Sequence, residues 1–172
     1  MKDTYITQFN TAYETWSDAI FRYCFIQTRD RAVALDLTQD VFVKFWEYLA
    51  QHKDIEYTKA FLYRSAHNRV IDYRRKKKES SLDQLQEEDD FDPSDFEQIE
   101  NVINQHDGAK VRMLLQELPE TYRAVLTMKY IEDLTLDEIV AITEETKNTI
   151  SVRIHRAEAK LQTIYKNKYG NE

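Results

Sequence analysis

The stretch from Thr135 to Leu161, TLDEIVAITEETKNTISVRIHRAEAKL, predicts two helices joined by a short turn. Thr135 and Glu138 form a capping box, in which each side chain accepts a hydrogen bond from the backbone amide of the other residue, and this starts the first helix. The apolar spacing of that helix stops at residues 143–145, and Thr146 is a suitable N-cap for the second helix. Two helices joined by a turn of this length form a helix-turn-helix.

The second of these helices has a high density of basic side chains. Residues 147–168 contain six Lys or Arg residues and one acidic residue, Glu158. Ile139, Val140 and Ile150 would pack the two helices together and leave a polar outer face on the second one. We expect that face to include Lys147, Asn148, Thr149, Ser151, Arg153 and Arg156. Many helical hairpins share the pattern and bind nothing, but the basic charge favours binding in the major groove of DNA.

The composition of the whole chain indicates an all-α protein. Its 172 residues include only two Gly and two Pro, whereas sandwiches, barrels and Rossmann units need many tight turns. One cysteine, Cys24, excludes an internal disulfide framework and a Cys-based zinc site, and no metal or cofactor is implied. The chain has no apolar run of the ~18–20 residues that a membrane span needs. We therefore expect a cytoplasmic protein without membrane insertion.

The first half of the chain predicts a three-helix bundle. Apolar residues recur at intervals of three or four over about residues 3–28, again after Asp30, and again over about residues 58–78. The second of these helices is apolar on more than one side, because Phe42 and Trp46 lie on a stripe next to its core positions. Helical aromatic residues most often belong to a core, and we single out Phe42 and Trp46 as candidates for an exposed face.

Charge is sorted along the chain and marks a linker. The net charge of −7 combines +4 over residues 1–78, −11 over residues 79–107 and zero over residues 108–172. The middle segment has few apolar residues, so it cannot bury enough surface to offset the entropy of ordering. From Phe96 onward the spacing suits a short helix that docks elsewhere. The sequence thus predicts two small helical domains joined by an acidic linker.

Four motifs carry a resemblance to a known family. They are DLTQDVFVKFW (Asp36–Trp46), AFLYRSAHNRVIDYRRK (Ala60–Lys76), LPETYRAVLTMKYIEDLTLDEI (Leu118–Ile139) and TISVRIHRAEAKL (Thr149–Leu161). In this order, with an acidic linker between the second and third, the chain resembles the extracytoplasmic-function (ECF) group of bacterial RNA polymerase sigma factors. The resemblance implies sigma region 2 at residues 1–78, an acidic linker at 79–107 and sigma region 4 at 108–168.

The resemblance also implies partners and roles for particular residues. The implied partners are core RNA polymerase, through its beta-prime clamp helices and beta flap, promoter DNA and an anti-sigma factor. The clamp-helix face would comprise Asp36, Gln39, Asp40, Phe42 and Trp46. The minus-ten promoter element would meet the loop of residues 52–59 and His67, Asn68, Arg69, Asp72, Tyr73 and Arg75. The minus-thirty-five element would meet Lys147, Asn148, Thr149, Ser151, Arg153 and Arg156.

One departure from the family pattern lies in the helix-turn-helix turn. Family members usually have a small residue there, often glycine, where this chain has Glu144 and Glu145. A glycine tolerates a positive φ angle, so we expect a glutamate in that position either to be strained or to belong to a turn that is built differently. We also expect the two carboxylates to repel DNA phosphates.

Three other classes of protein remain as alternatives. A helix-turn-helix regulator acting without core polymerase would not need the motifs of the first half. An anti-sigma or adaptor protein would not be expected to keep the basic third helix. An enzyme would need a convergent polar pocket; His67 and Asp72 lie on one helix with no nucleophile or metal motif nearby, so no catalytic residue is predicted.

Overall fold

A computed structural model describes residues 2–53, 55–80 and 108–170. These residues form seven α-helices and one π-helical turn, and no strand occurs among them. The helices belong to two compact units. Most of the predicted acidic linker, including the short helix expected from Phe96, lies outside the described residues. Over the described part of the chain, no helix is both long enough and apolar enough to cross a membrane.

The first unit is a bundle of three helices: α1 (Lys2–Thr28), α2 (Arg31–Ala50) and α3 (Thr58–Ser80). Each helix packs against the other two. The boundary between α1 and α2 is local in origin, because the Asp30 side chain accepts a hydrogen bond of 3.1 Å from the backbone amide of Val33. The core residues include Ile20, Tyr23, Val41, Phe45, Leu62, Ala66 and Val70. The predicted three-helix bundle is confirmed.

The remaining helices belong mainly to the second unit. They are α4 (Gly108–Gln116), α5 (Glu120–Leu126), which continues into a π-helical turn (Thr127–Ile131), α6 (Leu136–Thr143) and α7 (Lys147–Tyr169). The sequence analysis assigned no helix to α4, although its buried residues Val111, Leu114 and Leu115 have helical spacing. An ion pair joins the end of α7 to the segment after α4, and its hydrogen bond from Lys168 to Glu117 raises the pKa of that lysine above its usual 10.5.

The helix-turn-helix forms at the predicted residues. The Thr135 amide donates to Glu138 Oε2 at 2.8 Å and the Glu138 amide donates to Thr135 Oγ1 at 3.2 Å, which is the predicted capping box. Thr146 caps α7 by accepting a hydrogen bond of 3.2 Å from the Thr149 amide. Glu144 has φ 58°, so the turn needs the left-handed conformation at a residue that carries a Cβ atom. Of the two expectations for this turn, the structure shows the positive φ angle at a glutamate.

Candidate functional site

The exposed side of α2 differs from the predicted clamp-helix face in one residue. Phe42 is only 3% exposed, because its ring packs edge-on against Tyr13, with ring centroids 4.9 Å apart, and against Phe9. The expectation that Phe42 lies on an exposed face is therefore wrong: two aromatic residues of α1 cover it. Asp36, Gln39 and Asp40 are exposed, and their contact with polymerase stays a prediction.

Trp46 lies at the edge of this aromatic cluster and remains accessible. Its side chain is 40% exposed, and its ring contacts Phe9 edge-on at 5.5 Å between centroids. Val43 and Leu35 on the same helix are 55% and 43% exposed. Residues 35, 39, 43 and 46 follow the spacing of one helix face. On that face Leu35, Val43 and Trp46 form an exposed apolar stripe that Gln39 interrupts, with Asp36 and Asp40 beside it. Leu35 and Val43 were not among the predicted residues: their spacing places them on the same helix face as Trp46 but does not by itself show that they are exposed.

The predicted minus-ten residues are on α3, and the first of them is anchored to α1. His67 Nδ1 shares a hydrogen bond of 2.9 Å with the Tyr23 hydroxyl, and Asp72 accepts one of 3.3 Å from Arg75. His67 thus has a partner on α1, and Asp72 has one on its own helix. Asn68, Arg69 and Arg75 are exposed, whereas His67, Asp72 and Tyr73 are half-buried.

Aromatic and basic residues also meet around the loop before α3. Tyr57 is 70% exposed, the largest fraction among the exposed large hydrophobic residues of the described chain. Lys59, two residues later, lies with Nζ 5.7 Å from the centre of the Trp16 ring. An exposed aromatic ring can stack on an unpaired base while a nearby cation contacts the nucleic-acid backbone. Sequence reasoning selected this loop only as a segment and did not single out Tyr57.

The predicted upstream-element residues lie on the first three turns of α7. Four of them are exposed, namely Lys147, Asn148, Thr149 and Arg156. Two are half-buried, Ser151 and Arg153, and the neighbouring Ile150 is fully buried within the second unit. Two of the basic groups are paired with acidic residues of the same unit. Lys147 Nζ lies 3.2 Å from an Asp137 oxygen, and the Arg153 guanidinium forms two hydrogen bonds with the Glu145 carboxylate. Glu145 is therefore engaged with α7, whereas the sequence analysis expected it only to repel phosphates.

A buried carboxylate connects α7 to the π-helical turn. Glu158 is 5% exposed, and its Oε1 accepts hydrogen bonds of 2.7 Å from Lys129 Nζ and 2.5 Å from the Tyr130 hydroxyl. Sequence reasoning counted Glu158 only as the acidic exception in a basic stretch. Its partners lie 29 and 28 residues away, and no local pattern identifies them. These hydrogen bonds connect the buried side of α7 to the π-helical turn.

Comparisons with known proteins agree with these two helical units. Residues 12–80 match the family model described as Sigma-70 region 2, and residues 109–161 match the model described as Sigma-70, region 4. The chain is similar to the ECF RNA polymerase sigma factor SigM of Bacillus subtilis (strain 168), with 27% identity over 163 residues, 93% of this chain and 96% of that protein. It is also similar to the RNA polymerase sigma factor SigV of the same strain, with 28% identity, covering 80% of this chain and 78% of SigV.

A solved structure shares the fold. The sigma factor RpoE, crystallised in complex with the anti-sigma factor NepR from Bartonella quintana, matches with a TM-score of 0.70 and 20% identity, over 92% of this chain and 97% of that chain. Two helical units that match sigma regions 2 and 4 in order define a bacterial transcription initiation factor. The chain belongs to the ECF group of RNA polymerase sigma factors. It directs promoter-specific transcription, and a helix-turn-helix regulator acting without polymerase is not favoured.

Proposed function

We propose that the first unit binds core RNA polymerase through α2 and promoter DNA through α3, while the second unit binds the upstream promoter element through α7. The exposed apolar stripe of Leu35, Val43 and Trp46 carries the polymerase part of this proposal. Exposed large apolar side chains along one helix face are typical of a protein interface, and aromatic residues often dominate its binding energy. Asp36 and Asp40 beside the stripe would add charge complementarity to a basic partner surface.

The DNA part of the proposal rests on the chemistry of two surfaces. Tyr57 and the basic residues of α3 combine an aromatic ring with cations, which suits single-stranded bases in an opened minus-ten element. The exposed start of α7 suits the major groove of the upstream element. In this function the protein binds and positions DNA and polymerase and catalyses no reaction itself. It works in the cytoplasm, where bacterial RNA polymerase acts.

An anti-sigma factor is the further partner that we propose. The structural relative RpoE was crystallised with the anti-sigma factor NepR. A protein partner that covered the α2 stripe would compete directly with polymerase for Trp46 and its neighbours.

We also propose that the domain limits follow the sequence prediction, with region 2 at residues 1–78 and region 4 at 108–168.

The test is run-off transcription with purified core RNA polymerase and a library of promoter fragments from a bacterial genome. We expect the full chain to direct transcription from a subset of fragments, and core polymerase alone to give none of those transcripts. Asp36→Lys combined with Asp40→Lys should abolish the transcripts without unfolding the chain, because both side chains are exposed. A chain that binds DNA fragments specifically but never associates with polymerase would favour the helix-turn-helix regulator instead.

A further inference from the structure

The turn of the helix-turn-helix holds an arginine of α7 in a fixed orientation. Arg153 Nη2 donates a hydrogen bond of 3.0 Å to Glu145 Oε1, and Arg153 Nη1 donates a second one to Glu145 Oε2. The Arg153 side chain is 24% exposed and that of Glu145 is 38% exposed, so the pair is partly withdrawn from water. A two-point contact between a guanidinium and a carboxylate fixes the plane of both groups as well as their distance.

The geometry of this contact leaves one edge of the guanidinium for a second ligand. A guanidinium has five N–H groups, and the contact with Glu145 uses one from Nη1 and one from Nη2. The Nε–H and the second N–H of Nη2 point along the neighbouring edge of the group. That edge can donate two parallel hydrogen bonds to O6 and N7 of guanine, the most common specific contact between arginine and DNA.

The same carboxylate weakens the attraction of Arg153 to phosphates. Contacts to phosphates fix the register of a protein on DNA but carry no sequence information, and their strength comes from unpaired positive charge. A guanidinium already neutralised by Glu145 gains less from a phosphate than a free one does. The pair therefore favours a directional contact with a base edge over a contact with the backbone.

We propose that Glu145 is a positioning residue that sets the sequence preference of the upstream contact by holding Arg153 toward a base edge and away from phosphates. The proposal rests on the proposed function of α7 as the helix that binds the upstream promoter element. This role of Glu145 depends on the position of its carboxylate as well as on its negative charge. Glu144, the neighbouring acidic residue, is not part of the pair and serves as a matched control.

The experiment uses holoenzyme assembled from the full chain and core polymerase. The probe is a pool of duplexes from one active promoter, in which the upstream segment is randomised and the minus-ten segment is kept. Glu145→Gln should bind the whole pool more tightly, with a log–log salt slope steeper by about one, because one more cation reaches phosphates. Preference at one base pair should fall by about 5-fold to 150-fold, the range for loss of one bidentate contact to a base.

Three further variants separate geometry from charge. Glu144→Gln removes one negative charge from the same turn and should leave the preference unchanged. Glu145→Asp keeps the charge on a shorter side chain, so it should lose preference without a gain in affinity for the pool. In an Arg153→Ala chain, adding Glu145→Gln should have no further effect on preference, because the residue that Glu145 positions is absent.

The outcomes distinguish this proposal from the proposed function. If wild-type holoenzyme selects an upstream sequence and Glu145→Gln holoenzyme selects the same one equally strongly, α7 keeps its function and the positioning role of Glu145 is refuted. If Glu145→Gln holoenzyme binds every sequence more tightly with unchanged preference, Glu145 only screens positive charge, and its positioning role is likewise refuted. If the wild-type holoenzyme shows no upstream preference, the function proposed for α7 fails, and the role of Glu145 fails with it.

Discussion

Replacing Trp46 or Phe42 by alanine should separate polymerase binding from folding, although the two residues are one helical turn apart. Phe42 is 97% buried beneath Phe9 and Tyr13, so Phe42→Ala leaves a cavity and should lower the free energy of unfolding by about 3–5 kcal/mol. Trp46 is 40% exposed and has one edge-on aromatic contact, so Trp46→Ala should cost about 1–2 kcal/mol of folding. As an exposed aromatic anchor, Trp46 should contribute about 2 kcal/mol or more to polymerase binding.

Two assays on the same protein samples test this separation. Urea denaturation followed by circular dichroism measures the free energy of unfolding, and competition for core polymerase against a labelled wild-type chain measures binding. Without urea, where the Trp46→Ala chain stays folded, it should bind core polymerase about 30-fold more weakly than the wild-type chain does. The exposed Val43→Ala is a second probe of the same stripe and should weaken binding with little loss of stability. If Trp46→Ala unfolds as readily as Phe42→Ala and binds polymerase normally when folded, Trp46 is a core residue and the stripe is not the polymerase interface.

Four other predictions concern the second unit and the linker. Glu144→Gly should raise the free energy of unfolding by about 1 kcal/mol in urea titrations, because glycine tolerates the φ angle of 58°; an unchanged value would mean that the turn is unstrained. Glu158→Ala should lower the free energy of unfolding by about 2 kcal/mol, because Lys129 and Tyr130 lose a buried charged acceptor. In promoter selection Arg156→Ala should relax upstream preference, whereas Lys160→Ala should weaken all promoters alike with a salt slope shallower by about one; identical profiles would contradict this division. Converting the 11 acidic residues of segment 79–107 to amides should tighten DNA binding by the free chain at low salt, and equal affinities would exclude screening by the linker.

Local signals were sufficient to predict most of the secondary structure. The capping box of Thr135 and Glu138, the N-cap Thr146 and the N-cap Asp30 each act within three residues, so the helix starts that they mark could be read from the chain. For the turn at Glu144 the sequence left two alternatives open, a strained glutamate or a differently built turn, and the structure shows a φ angle of 58° at this residue. Helix α4 was missed, although three buried residues at helical spacing mark it.

The residues of the candidate surfaces were harder to assign, because burial depends on what other helices cover. Phe42 and Trp46 are four residues apart on one helix, and only the position of Phe9 and Tyr13 on α1 buries the first and leaves the second accessible. The sequence also contained Val43 and Leu35, but nothing local distinguishes an exposed apolar residue from a core one.

The sequence by itself therefore determined the all-α class, the two helical halves and the helix-turn-helix, because these depend on composition, on periodicity and on contacts within one turn of helix. The family was indicated by the resemblance of four motifs to known sigma factors. Only the tertiary structure decided which polar and charged side chains are paired. Glu145 meets Arg153 across eight residues, Tyr23 meets His67 across 44, and Lys129 meets Glu158 across 29. Such pairs form because packing brings distant side chains within hydrogen-bonding distance, where partial burial strengthens each contact and makes an unpaired group costly.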